Sequence, residues 1–104
     1  MKHSIVYITA KNKEEARKIG RALLEAKLVA CVNVIDKMES TYWWEGKIQD
    51  DKEAILIAKT KEALVPEVIS KVKSAHSYDC PCVVSMPIAD GNPDFLRWID
   101  EETK

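Results

Sequence analysis

One histidine and two cysteines fall within the seven residues of "HSYDCPC", His76 to Cys82. Imidazole and thiolate are the usual protein ligands of zinc and copper, so the stretch poses the question of a metal centre. Its spacing argues against zinc. Residues two apart in an extended chain share a face with Cβ atoms ~7 Å apart, whereas paired zinc cysteines are usually separated by two to four residues. Soft Cu(I) accepts thiolates with fewer ligands. Any ion held by His76, Cys80 and Cys82 is therefore expected to be copper or another thiophile, and zinc to bind weakly. The competing reading is structural. His76 ends a helix, where the last carbonyls need donors, and Cys80 and Cys82 serve as small buried hydrophobes around Pro81. Cys31 is a third thiol on a different segment, with the same structural reading. His3, near the terminus, is expected to be exposed.

A second set of residues concerns binding rather than metal. Asp50, Asp51 and Glu53 cluster within four positions, which reads as a solvated turn or as an oxygen-rich site for a hard cation or polar ligand. Glu53 and Lys59 bracket an apolar strand. With Tyr78 they are the candidates for lining a ligand cleft. Catalytic patterns are weak. Gly20, Gly46 and Gly91 are isolated, so there is no phosphate-binding loop. A Cys31–His76 dyad lacks an evident third group to orient it. The expectation is a binding protein, not an enzyme, with no obligatory cofactor.

The elements that must position these groups follow from periodicity. "HSIVYITA" is β-branched and aromatic and reads as a strand. Asn12, with Glu15 three residues on, opens an amphipathic helix carrying Ala16, Ile19, Leu23 and Leu24 on one stripe. "VACVNVI" is a second strand. "STYWWEGKIQ" continues as extended chain, with a bend or bulge expected at Gly46. Glu53 to Thr60 is a third strand. A second helix is expected from about Lys61 to Ala75, with Leu64, Val65, Val68, Ile69 and Val72 buried and Pro66 in its first turn. Cys82 to Ile88 is the last strand. Asn92 then caps a short helix with Pro93 at its first position. The order is β-α-β-β-α-β plus a C-terminal helix. That is the ferredoxin-like pattern of the α+β class, in one domain over residues 1–104.

Composition bounds what such a domain does. Of its 104 residues, 46% are hydrophobic and 32% charged, with a net charge of -1 and both signs interleaved. No basic stripe favours nucleic acid, and no ~20-residue apolar run favours a membrane span. The run Ile5 to Ile8 is too short for a signal peptide. Three cysteines, an odd number, point to reduced thiols and a cytoplasmic location. The strands raise a further requirement. Ile55, Leu56 and Ile57 are consecutive and point to alternate faces, as do Cys82, Val83 and Val84. One helical layer covers one sheet face, so the other needs a second subunit. Tyr42, Trp43 and Trp44 also alternate faces, which marks this strand as an arm reaching onto a neighbour.

"ACVNV", "YWWEGKI", "KT" after an apolar strand, "HSYDCP" and "FLRWIDEE" occur here in an order that resembles the CutA family, the divalent-cation tolerance proteins. The likeness runs from "IVYITA" to the Trp98 helix. It implies a ferredoxin-like homotrimer with packed sheets, a location in the prokaryotic cytoplasm and a role in tolerance of copper and other divalent cations. It also implies a trimer similar to the PII signalling proteins. From that comes an alternative function, a signalling or scaffold trimer binding a small anionic ligand or partner protein between subunits. The copper site the resemblance implies uses a first-strand cysteine and a histidine pair. Ile8 and Ala75 stand at two of those positions here and only His76 matches. Ser77 replaces the proline that follows.

Overall fold

The structure is a computed structural model describing residues 2–104. Strand β1 (His3–Ala10) leads through α1 (Lys13–Glu25) to β2 (Cys31–Trp44) and β3 (Lys47–Lys61). A single 3-10 turn (Glu62–Leu64) enters α2 (Val65–Ala75), then β4 (Val83–Pro87) and α3 (Pro93–Glu102) follow. The sheet is antiparallel throughout, in the order β2-β3-β1-β4. This is the expected ferredoxin-like fold with its extra helix. The second helix starts later than its apolar stripe implied, because β3 runs on to Lys61 and the 3-10 turn takes up Leu64. Pro66 then sits in the first turn of α2, where its missing N–H costs nothing.

One sheet face makes the core. Val6, Ile8 and Ala10 of β1 and Ala54, Leu56 and Ala58 of β3 pack against Ile19 and Leu23 of α1 and Val68 and Val72 of α2. A Cβ on Gly20 would lie 3.1 Å from both Leu56 and Val32, so glycine is what lets α1 sit this close to the sheet. Leu24 falls outside the stripe and is exposed, since it lies on the helix side turned to water. Asn12 caps α1 by accepting from the Glu15 N–H at 2.9 Å, and Glu15 reaches back to the Lys11 N–H at 3.0 Å. At the other end Lys27 is left-handed (φ 59°). The Leu28 N–H donates to the Leu23 carbonyl and the Lys27 N–H to the Leu24 carbonyl, a Schellman closure.

Two local features differ from the sequence reading. His3 is not exposed. It is buried, and its Nε2 lies 2.8 Å from Asp100 Oδ1, which ties α3 to β1. Gly46 is neither bend nor bulge. It forms a two-residue hairpin turn with Glu45, both at positive φ (50° and 77°), the twist-matched solution for joining antiparallel strands. The bulge lies further back, where the β2–β3 register shifts between Ile35 and Met38 beside left-handed Lys37. Beyond that shift the hairpin leaves the body as an arm, which accounts for a long dimension of 44 Å against 26 and 22 Å.

Candidate functional site

The second sheet face has no layer over it in the single chain. Strand alternation and register place Ile5, Tyr7, Ile55, Ile57, Ile35, Val84 and Met86 on it. Ile35, Val84 and Met86 are each about half exposed. The second face is therefore apolar and open in the single chain, as the strand pattern implied.

Where the arm departs from this face, a pocket of about 520 Å³ opens. Counting outward from the Glu45–Gly46 turn explains its walls. Trp44 pairs with Lys47, Tyr42 with Gln49, Ser40 with Asp51 and Met38 with Glu53. Alternation puts Met38, Ser40, Tyr42, Trp44, Asp51 and Glu53 on one side, and all six line the pocket. Tyr7 and Thr9 add wall from β1, and Tyr78 to Cys80 and Cys82 close it from the α2–β4 connection. Trp43 and its partner Ile48 face the other way, exposed at 72% and 59%.

Two phenol–carboxylate pairs organise the interior. The Tyr78 hydroxyl donates to Glu53 Oε2 at 3.0 Å, and the Tyr42 hydroxyl donates to Asp51. Burial, then the Glu53 bond, pushes the Tyr78 phenol well above its ordinary range. The bond to Asp51 pushes Tyr42 up as well. Both phenols stay protonated at neutral pH and act as donors. The Tyr7 hydroxyl lies 3.5 Å from Met38 Sδ.

His76 belongs to the scaffold. Its side chain is fully buried. The Tyr78 backbone N–H donates to its Nδ1 at 3.0 Å, so Nε2 carries the proton and donates to the Thr9 carbonyl at 2.7 Å. With both nitrogens used inside the fold, the ring has no lone pair free for a metal. His76 sits apart from the pocket lining that includes Cys80 and Cys82. Beside it Glu15 accepts from the Ser77 N–H at 3.0 Å and lies 3.9 Å from Nδ1. Burial opposes the Glu15 charge, yet hydrogen bonds from Ser77 and Lys11 outweigh it and hold the carboxyl below its usual range.

The remaining candidates divide. Cys80 and Cys82 share the pocket wall but are exposed, contrary to the reading of them as small buried hydrophobes. They fall just before β4, where Pro81 keeps the chain out of both helix and ladder. Cys31 pairs with Lys59 at the far end of the open face and does not join them. Glu53 and Tyr78 come together as expected of cleft residues. Lys59 does not, since its Nζ donates to Asn33 Oδ1 at 2.5 Å on another part of the face. Asp50 and Asp51 lie within the arm, not in a solvated turn, and point to opposite sides. Met38 escaped the sequence reading. Counting from the hairpin turn was the signal for it, but "EG" is a weaker hairpin mark than "NG". Among the described residues no three His, Cys, Asp or Glu side chains form a metal cluster.

A family model described as the CutA1 divalent ion tolerance protein matches residues 4–102. The chain belongs to the CutA1 family. It is 48% identical over 99 residues to the divalent-cation tolerance protein CutA of Archaeoglobus fulgidus, covering 95% of this chain and 96% of that one. The chloroplastic protein CutA 1 of Oryza sativa subsp. japonica is 43% identical over 100 residues. There the match covers 96% of this chain but 56% of the relative, so this chain spans little more than half the plant protein's length. The crystal structure of CutA1 from Oryza sativa superposes with a TM-score of 0.97 at 41% identity, over 100% of this chain and 95% of that one. The periplasmic divalent cation tolerance protein CutA from Archaeoglobus fulgidus gives 0.95 at 46%, over 98% and 99%. These descriptions correct the expected cytoplasmic location. CutA1 relatives of Oryza and Arabidopsis are chloroplastic, and the archaeal structure is described as periplasmic. Among the described residues, no helix is long and apolar enough to cross a membrane.

Proposed function

We propose that this chain is a divalent-cation tolerance protein acting as a homotrimer, binding thiophilic ions through Cys80 and Cys82 rather than performing catalysis. The observation that carries the reading is the shared pocket wall. Two exposed thiols and the Met38 thioether line one cavity at the margin of the open sheet face. Thiolate and thioether are soft ligands that favour Cu(I) over harder ions. The trimer is supported by the apolar face, which a domain of this size does not leave in water. The reading as a binder is supported by the histidines. His76 spends both nitrogens on backbone groups and His3 is paired with Asp100, so neither stands beside the thiols as a general base.

The alternative, a PII-like trimer taking a small anionic ligand, has less behind it. Among the described residues no lysine or arginine lines the pocket, and Lys59 is engaged elsewhere.

A competition titration of reduced, untagged protein with Cu(I) and Zn(II) tests the reading, repeated on a Cys80→Ser, Cys82→Ser double variant. Cu(I) should bind the parent, bind more tightly as pH rises because the thiolate is the ligand, and be lost in the variant. Zinc should bind weakly to both. Submicromolar zinc affinity abolished by the double substitution would overturn the thiophile preference. Unchanged Cu(I) binding by the variant would overturn the site.

A further inference from the structure

His76 is a buried titratable group that the thiol chemistry leaves unused. Its side chain is fully buried in the single chain, and a neighbouring subunit can only bury it further. The ring sits where three segments meet. From β1 it faces the Thr9 carbonyl, which accepts from Nε2 at 2.7 Å. From its own α2–β4 connection it faces the Tyr78 N–H, which donates to Nδ1 at 3.0 Å, and the Tyr78 ring, 4.8 Å away between centroids. From α1 it faces the Glu15 carboxylate, whose Oε1 lies 3.9 Å from Nδ1. On the far side of Tyr78 its hydroxyl donates to Glu53 of β3 at 3.0 Å, and the Asp51 charge of β3 acts on the same phenol.

Neutral imidazole has one donor and one acceptor nitrogen, and here each has its matching partner. Imidazolium has two donors. A proton on Nδ1 sets donor against donor at the Tyr78 N–H, while the Nε2 bond to Thr9 survives unchanged. The acceptor within reach is Glu15. Hydrogen bonds from the Lys11 and Ser77 N–H groups hold its carboxyl ionised, and a carboxylate has sites for about four hydrogen bonds. Closing 3.9 Å to a charge-assisted bond of ~2.8 Å asks the ring to swing by about 1 Å around its anchored Nε2. The Tyr78 N–H then loses its acceptor, at the start of the Tyr78 to Cys80 stretch that closes the pocket. Histidine is the side chain whose charge ordinarily changes across the physiological range. We propose that His76 is a pH-operated joint: protonation exchanges its hydrogen bond from Tyr78 for an ion pair with Glu15 and frees the Tyr78–Cys80 stretch of the pocket wall. The exchange involves no sulfur, so it stands whether or not Cys80 and Cys82 hold an ion.

The test is heteronuclear NMR of the assembled, metal-free protein between about pH 8 and about pH 5, the span in which histidine ordinarily titrates. At the upper end the His76 ring nitrogens should show the Nε2–H tautomer. As the ring takes up a proton, the Tyr78 amide should shift with the same midpoint. Its exchange protection should fall about tenfold, as for one lost hydrogen bond, while amides inside β3 such as that of Leu56 keep theirs. Glu15→Gln, which leaves the imidazolium without its anion, should move the joint transition to lower pH. The ring and amide readings on the parent stand by themselves if that variant fails to fold. A ring that stays neutral throughout, a protonated ring beside an undisturbed Tyr78 amide, or a transition that Glu15→Gln does not move overturns the proposal.

Discussion

His76 shows how far one residue's environment decides its role. In the sequence it was the one match to a copper site, placed four residues before a cysteine. In the fold it joins three segments: its ring holds the Thr9 carbonyl and the Tyr78 N–H, and Glu15 packs beside it. Replacing His76 by alanine leaves two part-buried backbone groups without these partners, at up to ~1–3 kcal/mol each. His76→Ala should therefore lower the unfolding free energy in a denaturant melt by a few kcal/mol, while Cu(I) uptake per folded subunit stays at the parent's level. Glu15 carries an acid-side prediction. Its carboxyl is held below the usual range in the folded chain, so its contribution to stability is complete above the unfolded value, ~4.3. That contribution disappears as pH falls through the lower folded value. Thermal midpoints measured from neutral pH into the acid range should fall more steeply for the parent than for Glu15→Gln. Parallel curves would show that Glu15 is not a stabilising charge.

The elements were legible where apolar period and capping chemistry agree. Asn12, Pro66, Asn92 and Pro93 sit where their backbone preferences placed them. The hairpin was less legible. Glu45 adopts positive φ because the turn demands it, and nothing in its residue type announces that. The pocket was hidden for the same reason, since its walls meet only once the register across that turn is known. Cys80 and Cys82 were misread as buried because Val83 and Val84 extend the apolar run to them, while the ladder begins after them. Lys27 offers a test of the helix end. It holds the left-handed position that glycine occupies without strain, so Lys27→Gly should raise stability by up to about 1 kcal/mol in a denaturant melt. The arm offers another. Trp43 is 72% exposed in the single chain, and Trp44 51%. Truncating either to alanine should leave far-UV circular dichroism almost unchanged but weaken subunit association. The loss approaches the ~3–5 kcal/mol of a buried aromatic wherever the neighbour covers the ring. Both variants remaining fully assembled at unchanged thermal midpoints would rule out an intersubunit role for the arm.

At the scale of the molecule, the two apolar faces of one small sheet tie fold to function. Helices α1 and α2 bury one face. The other presents Ile35, Val84 and Met86 to solvent in the single chain, and the pocket with its thiols and acids lies at its margin. On the proposed reading the cation site lies at the edge of a subunit interface, so whatever seats the neighbour also shapes the pocket and ion binding is linked to assembly. If that face is a permanent interface, folding and association are coupled and no stable monomer exists. Sedimentation velocity at submicromolar concentration, without added metal, measures this directly. A single folded species with the mass of three chains, persisting on dilution until it dissociates and unfolds together, is the predicted result. A folded, stable species with the mass of one chain would contradict the account.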